Sequence, residues 1–242
     1  MSNHQHTGVF ITFEGGDGSG KTTHINFLAR ALREQGREVV CLREPGGTPV
    51  GEQLRDIVLN PDNASICDRA ELLLYEAARA QLVDEVIRPA LERGAIVLCD
   101  RFYDSTTAYQ AYGRGLPADF TEAANLFAAD GAIPHRTVLI DTMEDASVGL
   151  ERAMQDRDGD RMERAGLDFH ERVAAAFSRI AASNPQRVRV VPCQPEKSGT
   201  ARLVFEAVAD CFGWDPGSLP FDDDFFAQAN DIHGDTKVSG GE

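Results

Sequence analysis

Five short runs along the chain are apolar through most of their length: VFITFE (9–14), EVVCL (38–42), AIVLCD (95–100), RTVLID (136–141) and VRVVP (188–192). A strand with water on one face alternates apolar and polar residues, whereas a strand buried on both faces does not. The five runs therefore predict an α/β protein, a parallel sheet covered by helices on both sides. Between them the apolar residues take a helical period. KTTHINFLARALREQG predicts one helix, stopped by Gly36. DRAELLLYEAARAQLVDEVIRPALERG predicts a longer one, stopped by Gly94, with Pro89 placed to kink it. Residues 144–183 are charged and helical, but their centre, QDRDGDRMERAG, mixes arginine, acid and glycine, so a helical hairpin with a movable tip is expected. Beyond about residue 213 the period is lost. GWDPGSLPFDDDFFAQANDIHGDTKVSGGE is rich in acid and turn formers and predicts a largely disordered tail. Within it, Trp214, Phe221, Phe225 and Phe226 are either residual low-complexity sequence or residues that dock on the body or on a partner.

The chain has 242 residues, a length that one core can fill, and the expectation is a single domain over 8–213 with a disordered leader (1–7) and the tail (214–242) outside it. Its net charge of −15, from 24 basic and 39 acidic side chains, disfavours nucleic acid and anionic membranes as partners. An anionic substrate must then be held by local arginines and backbone amides. No stretch is apolar for long enough to span a bilayer, and MSNHQHTG lacks the features of a signal peptide, so the cytoplasm is the expected compartment. The five cysteines are scattered without metal or redox spacing and read as reduced core residues; His4 and His6 read as part of a solvated leader.

One motif changes the picture. Gly15, Gly20, Lys21 and Thr22 satisfy G-x-x-x-x-G-K-T, with a predicted strand before and a predicted helix after. In such a loop, Gly15, Gly16, Asp17, Gly18, Ser19 and Gly20 turn backbone amides toward phosphate. The helix N-terminus adds partial positive charge and Lys21 a full one. A nucleoside triphosphate is the expected ligand. Thr22 is the expected hydroxyl ligand of Mg²⁺, and Asp100, at the carboxyl end of a buried strand, the expected carboxylate, direct or through water. Asp17 does not fit a purely cationic loop. Facing inward it would repel a triphosphate, so its side chain should point away, toward an acceptor cleft.

Three arginines outline that cleft. Arg43 and Arg101 follow strand ends, where parallel α/β folds bind ligands, and Arg79 lies one helical turn after Tyr75. An aromatic plane beside a forked donor suits a nucleobase.

FEGGDGSGKTT, REPGGT, YEAARAQL, DRFYDSTTAYQAYGRGL and DRMERAGLDF, in this order, resemble the motifs of the thymidylate kinases over roughly residues 8–212. The resemblance implies a three-layer P-loop nucleoside monophosphate kinase fold, a five-stranded parallel sheet with a small mobile helical lid at about 152–166. It also implies ATP and dTMP as substrates, Mg²⁺ dependence and a homodimer. By position, Tyr75 stands for the thymine-stacking aromatic, Arg79 for the arginine reading a base carbonyl, and Arg101 for the one gripping the acceptor phosphate. Pro45, Ser105 and Gln110 stand beside the base, and Asp17 accepts from the deoxyribose 3′-hydroxyl. The lid of bacterial forms supplies a catalytic arginine, for which both Arg157 and Arg161 are candidates here; a solvated charge ladder accounts for the others. A kinase for other nucleosides or monophosphates, and a nucleotide-binding assembly module using the tail, are the alternatives.

Overall fold

The computed structural model describes residues 8–144, 146–154 and 159–232; the leader, Arg157 and the last ten residues lie outside these. Five strands form one parallel sheet: β1 (Val9–Glu14), β2 (Val39–Arg43), β3 (Ile96–Asp100), β4 (Arg136–Asp141) and β5 (Val188–Pro192), in the order β2-β3-β1-β4-β5. The unbroken apolar runs have a simple cause. Along β1, Phe10 joins one core layer while Ile11 and Phe13 join the other; along β3, Val97 and Cys99 separate in the same way from Ile96 and Leu98. These central strands therefore bury both faces, whereas the edge strand β5 leaves Val190 49% exposed. The topology turns about β1, with β3 on one side and β4 on the other, which opens a crevice at the carboxyl end of β1.

The first helices are α1 (Lys21–Glu34), α2 (Pro49–Leu59) and α3 (Asp68–Leu82). The chain then takes a π turn over Val83–Ile87 before α4 (Arg88–Glu92). In that turn the Arg88 amide reaches back to the Val83 carbonyl, and Pro89, which has no N–H to give, falls in the first turn of α4 directly after it. The expected kink at Pro89 is thus absorbed as a change of helical register. Next come α5 (Tyr103–Thr106), continued by a π turn over Thr107–Gly113, then α6 (Ala118–Ala129), α7 (Ala146–Met154) and α8 (Leu167–Ser183). A third apolar cluster, including Tyr109, Met162, Phe169 and Phe177, seats α8 and the lid against the sheet.

The expectation of a disordered tail does not hold for residues 214–232. After α9 (Lys197–Phe212) the chain turns back and forms α10 (Asp223–Ala227), capped by the Asp222 side chain, which accepts from the Phe225 amide at 2.8 Å. Trp214 stacks on Phe205 of α9 at 5.9 Å, and Phe225 lies 4.8 Å from Phe27 of α1. Phe27, on which Phe225 rests, lies far back in the chain, so the docking of this segment leaves no periodic pattern in it. Arg30 and Lys197 fasten it by bonds to Gln228 Oε1 and the Ile232 carbonyl. Phe226 is 2% exposed. Phe226→Ala is expected to lower the unfolding free energy by about 3 kcal/mol or more in urea titrations, as for other buried aromatics.

Candidate active site

β1 delivers the chain to the centre of the crevice, and the phosphate loop begins there. Gly15 has φ +137°, and a Cβ on it would lie 2.4 Å from the Ile140 carbonyl of β4, so no other residue fits. Gly20, also left-handed, caps α1, whose first amides remain directed at the loop. Lys21 arches back over it: Nζ donates to the Gly16 carbonyl at 2.8 Å, the Gly15 carbonyl at 3.2 Å and Ser19 Oγ at 3.4 Å. Burial lowers its pKa, against Asp100 and Asp17, which raise it. The loop forms one wall of a cavity of about 730 Å³ that also reaches Pro45, Tyr75, Arg101 and Gln110.

The pairing of Phe13 with Asp100 sets the end of β3 level with the loop. Thr22 Oγ1 accordingly donates to Asp100 Oδ2 at 2.8 Å. Among the described residues no cluster of three or more His, Cys, Asp or Glu is arranged to hold a metal. One hydroxyl beside one carboxylate fits Mg²⁺ arriving with a nucleotide and taking its other ligands from phosphate and water.

Arg101 follows directly, with its backbone in the left-handed region at φ +67°. Nη1 donates to the Gly15 carbonyl at 3.0 Å and to Ser105 Oγ at 3.1 Å; Nη2 donates to Asp17 Oδ1 at 2.6 Å. Of its five N–H groups, Nε–H and one on Nη2 have no partner among the described residues. Asp17 turns away from the loop amides, as the sequence anticipates, and Tyr109 also donates to it at 3.2 Å. Burial would raise the Asp17 pKa, but Arg101 and Lys21 together hold it below the usual carboxylate range.

The base-reading role expected of Arg79 meets a contrary geometry. The side chain is 1% exposed and all five of its donors are engaged: Nε and Nη2 on Glu44 Oε2, Nη1 on Glu76 Oε2 and Asn125 Oδ1, and Nη2 again on Thr106 Oγ1. It holds the cavity wall together and has no donor left for a base. Ser105 is similarly engaged, donating to Glu14 Oε2 at 2.5 Å. Gln110 gives its amide N–H to Glu71 Oε1 at 2.8 Å, and it lines the cavity with Tyr75 and Pro45.

The lid separates its arginines. Arg161 is buried away from the phosphate loop: its Nε donates to the Val58 carbonyl at 2.7 Å and its Nη1 pairs with Glu71 at 2.6 Å. It closes the C-terminus of α2 and does not stand as a catalytic lid arginine. Arg157 lies outside the described residues. Arg152, which the sequence reading passed over, approaches the loop instead, its Nη1 donating to the Gly18 carbonyl at 3.3 Å and its Nη2 to Glu144 at 2.9 Å. The close fit of α7 brings it there, since a Cβ on Gly149 would lie 2.8 Å from the Asp17 carbonyl. Arg55 is a second omission. It lines the cavity and donates to the Pro45 carbonyl at 2.9 Å, on a helix that Thr48 and Pro49 announce by their N-cap and first-turn chemistry.

A family model for thymidylate kinase matches residues 13–202. The chain belongs to the thymidylate kinase family. Thymidylate kinase of Chlorobaculum parvum is 48% identical over 190 residues, 76% of this chain and 87% of that one. Thymidylate kinase of Solidesulfovibrio magneticus is 45% identical over 208 residues, 83% of this chain and 98% of that one. A crystal structure of thymidylate kinase from Ehrlichia chaffeensis superposes with a TM-score of 0.62 at 36% identity, covering 76% of this chain and 90% of its own. The span of the thymidylate kinase family model takes in the loop, Arg101 and the lid, and stops before the aromatic segment that follows α9.

Two buried carboxyls give stability a pH dependence. Burial pushes Glu14 up to about 8 and Glu44 up to about 7 from an ordinary 4.5. Each keeps a proton that the unfolded chain releases near 4.5, so the stabilisation is complete below that value and is lost as pH rises through 7 and 8. His24 acts oppositely: burial lowers it from 6.5 to about 4, and its contribution is complete above 6.5. Unfolding free energy is therefore expected to fall from about pH 6.5 to 8 in denaturant titrations, with a flatter slope in the Glu14→Gln, Glu44→Gln double variant. An equal slope in that variant would assign the protons to other groups.

Proposed function

We propose that this chain transfers the terminal phosphoryl group of ATP to dTMP, giving ADP and dTDP, with the loop as donor site and the Arg101 side of the cavity as acceptor site. One observation carries the reading: a single atom, the Gly15 carbonyl oxygen, accepts from Lys21 Nζ at 3.2 Å and from Arg101 Nη1 at 3.0 Å. The cation suited to the donor and the cation suited to the acceptor are thus anchored back to back. Two phosphates drawn to them are brought face to face, as in-line transfer requires. A phosphate monoester, with its second pKa near about 6, is already a dianion at neutral pH, so positioning and charge neutralisation carry most of the catalysis.

Lys21 neutralises the donor side, the two uncommitted donors of Arg101 hold the acceptor phosphate, and Arg152 meets the loop from the lid. Thr22 and Asp100 would hold Mg²⁺, which would supply positive charge against that of the donor phosphates. Asp17 keeps lone pairs for the deoxyribose 3′-hydroxyl, and Tyr75 offers its ring to the base. We place the reaction in the cytoplasm. We also assign the dimer interface to α6, where Phe120, Ala123 and Phe127 form an exposed stripe, Phe127 being 86% exposed. Neighbouring α3 exposes Leu73.

Arg101→Ala and Lys21→Ala are each expected to reduce dTMP-dependent ADP formation by about 10²-fold or more, with circular dichroism unchanged. Near-normal turnover in either would remove the assignment. A panel of dTMP, dUMP, dCMP and thymidine should show turnover with dTMP and none with thymidine, which has no phosphate for Arg101. Phe127→Glu should shift the sedimentation coefficient to that of a monomer.

A further inference from the structure

Glu14 takes no direct part in the reaction as derived above, yet it is the last residue of β1 and fully buried. A carboxyl group in that position costs free energy unless its oxygens are bonded. Both are. Oε1 accepts from the Phe102 amide at 2.8 Å, and Oε2 accepts from the Ser105 hydroxyl at 2.5 Å. Neither bond goes to a charged group, and both end on residues flanking the Arg101 turn.

Phe102 N–H is the amide immediately after Arg101, whose left-handed backbone is unfavourable for a residue with a Cβ. The Arg101 amide itself donates to the Phe13 carbonyl at 2.9 Å. The last two residues of β1 thus hold two successive amides and fix the turn. Ser105, oriented by Glu14, presents its lone pairs to Arg101 Nη1 at 3.1 Å. With the Gly15 carbonyl, this occupies both hydrogens of Nη1. The guanidinium cannot rotate without breaking one of these bonds, and Arg101, with two donors unengaged among the described residues, lines the cavity.

We propose that Glu14 is a positioning residue for Arg101. It fixes the Arg101–Phe102 turn through the Phe102 amide and the guanidinium through Ser105, so that the free N–H groups face the acceptor phosphate. The inference rests on the acceptor-site reading above. The electrostatic setting agrees with it. Burial, and Asp104 after it, favour the protonated acid, against Arg101; Lys21, Arg187, Tyr103 and Cys99 are the other titratable groups that sense Glu14. As a neutral acid Glu14 accepts from the Phe102 amide at Oε1 and donates its proton at Oε2 to Ser105 Oγ, which keeps a lone pair for Arg101, and it places no second carboxylate behind the arginine that must attract a dianion. Glutamine has the same shape, one acceptor and one donor, and no charge.

The test is calorimetric titration of the full chain with dTMP and, separately, with a non-hydrolysable ATP analogue. Glu14→Ala is expected to weaken dTMP about tenfold and the ATP analogue by less than about twofold, while Glu14→Gln stays within about threefold of the parent for both. In an Arg101→Ala background, Glu14→Ala should cost dTMP less than about twofold, because its effect passes through Arg101. Unchanged dTMP affinity in Glu14→Ala, an equal loss for both ligands, or an undiminished loss in the Arg101→Ala background would each overturn the proposal. If Glu14→Ala does not fold, Ser105→Ala carries the test, since it removes the hydroxyl that links Glu14 to the guanidinium while leaving Glu14 and Arg101 in place. It should weaken dTMP about threefold or more with the ATP analogue unaffected, and unchanged dTMP affinity would overturn the proposal. An Arg101→Ala variant that binds dTMP normally overturns the acceptor-site reading itself, whereas normal binding by Glu14→Ala beside a defective Arg101→Ala overturns only the role of Glu14.

Discussion

The site depends on one carbonyl group. Gly15 O is held where Lys21 and Arg101 both reach it, and two like charges sharing an acceptor in a buried place would separate unless something fixed them. What fixes them is the sheet. Phe13 is in register with Asp100 on one side and Val138 on the other, and the Gly15 backbone presses so closely on the Ile140 carbonyl of β4 that a side chain is excluded. The loop is packed directly on β4, and Arg101 is tied to β1 by the bond from its amide to the Phe13 carbonyl. Repulsion between the two cations is then balanced locally by Asp17 and Asp100.

That balance shows how a chain with a net charge of −15 can hold two polyanions. Long-range attraction is not available, so the contest is decided by individual donors. Arg79, which is buried, and Arg101, which is half-buried, stand in the same cavity wall, but the first has every N–H engaged by protein acceptors and the second has two without a partner among the described residues. Burying an arginine requires partners. The difference between a structural arginine and a ligand-binding one is whether those partners use up the fork. By this criterion Arg161, engaged with Val58, Glu71 and Met162, belongs with Arg79.

The same criterion marks what the sequence could reveal. All five strands and the phosphate loop were legible, because a strand buried on both faces and a loop that must bring amides together each leave a continuous local pattern. The acid of the loop was legible as well, in its direction, since a carboxylate and a triphosphate cannot share one set of amides. The roles of the arginines were not. Arg79 meets Glu44 across 35 residues and Arg161 meets the Val58 carbonyl across 103, so nothing near either in sequence announces a partner. The docking of the aromatic segment after α9 escaped for the same reason: Phe225 rests on Phe27 near the start of the chain, and only the fold brings those surfaces together. Arg152 was hidden differently, by the denser cluster of arginines just beyond it.

Asp17 connects these points. Its Oδ1 is bonded to Arg101 and its Oδ2 to the Tyr109 hydroxyl, with Arg101 lying 5.1 Å over the Tyr109 ring. The Arg101 side of the cleft is therefore an ion pair backed by an aromatic ring, with the arginine compensated by Asp17. A dianion entering the cleft need not displace Asp17, because the donors it uses are not the one Asp17 holds. It does approach a carboxylate, and that repulsion is tolerable only if the carboxylate itself gains a donor from the ligand. A sugar hydroxyl a short distance from the phosphate supplies one, whereas inorganic phosphate does not. On the acceptor-site assignment proposed above, an acid in the loop would favour a nucleotide over a bare anion, through the same side chain that bonds Arg101.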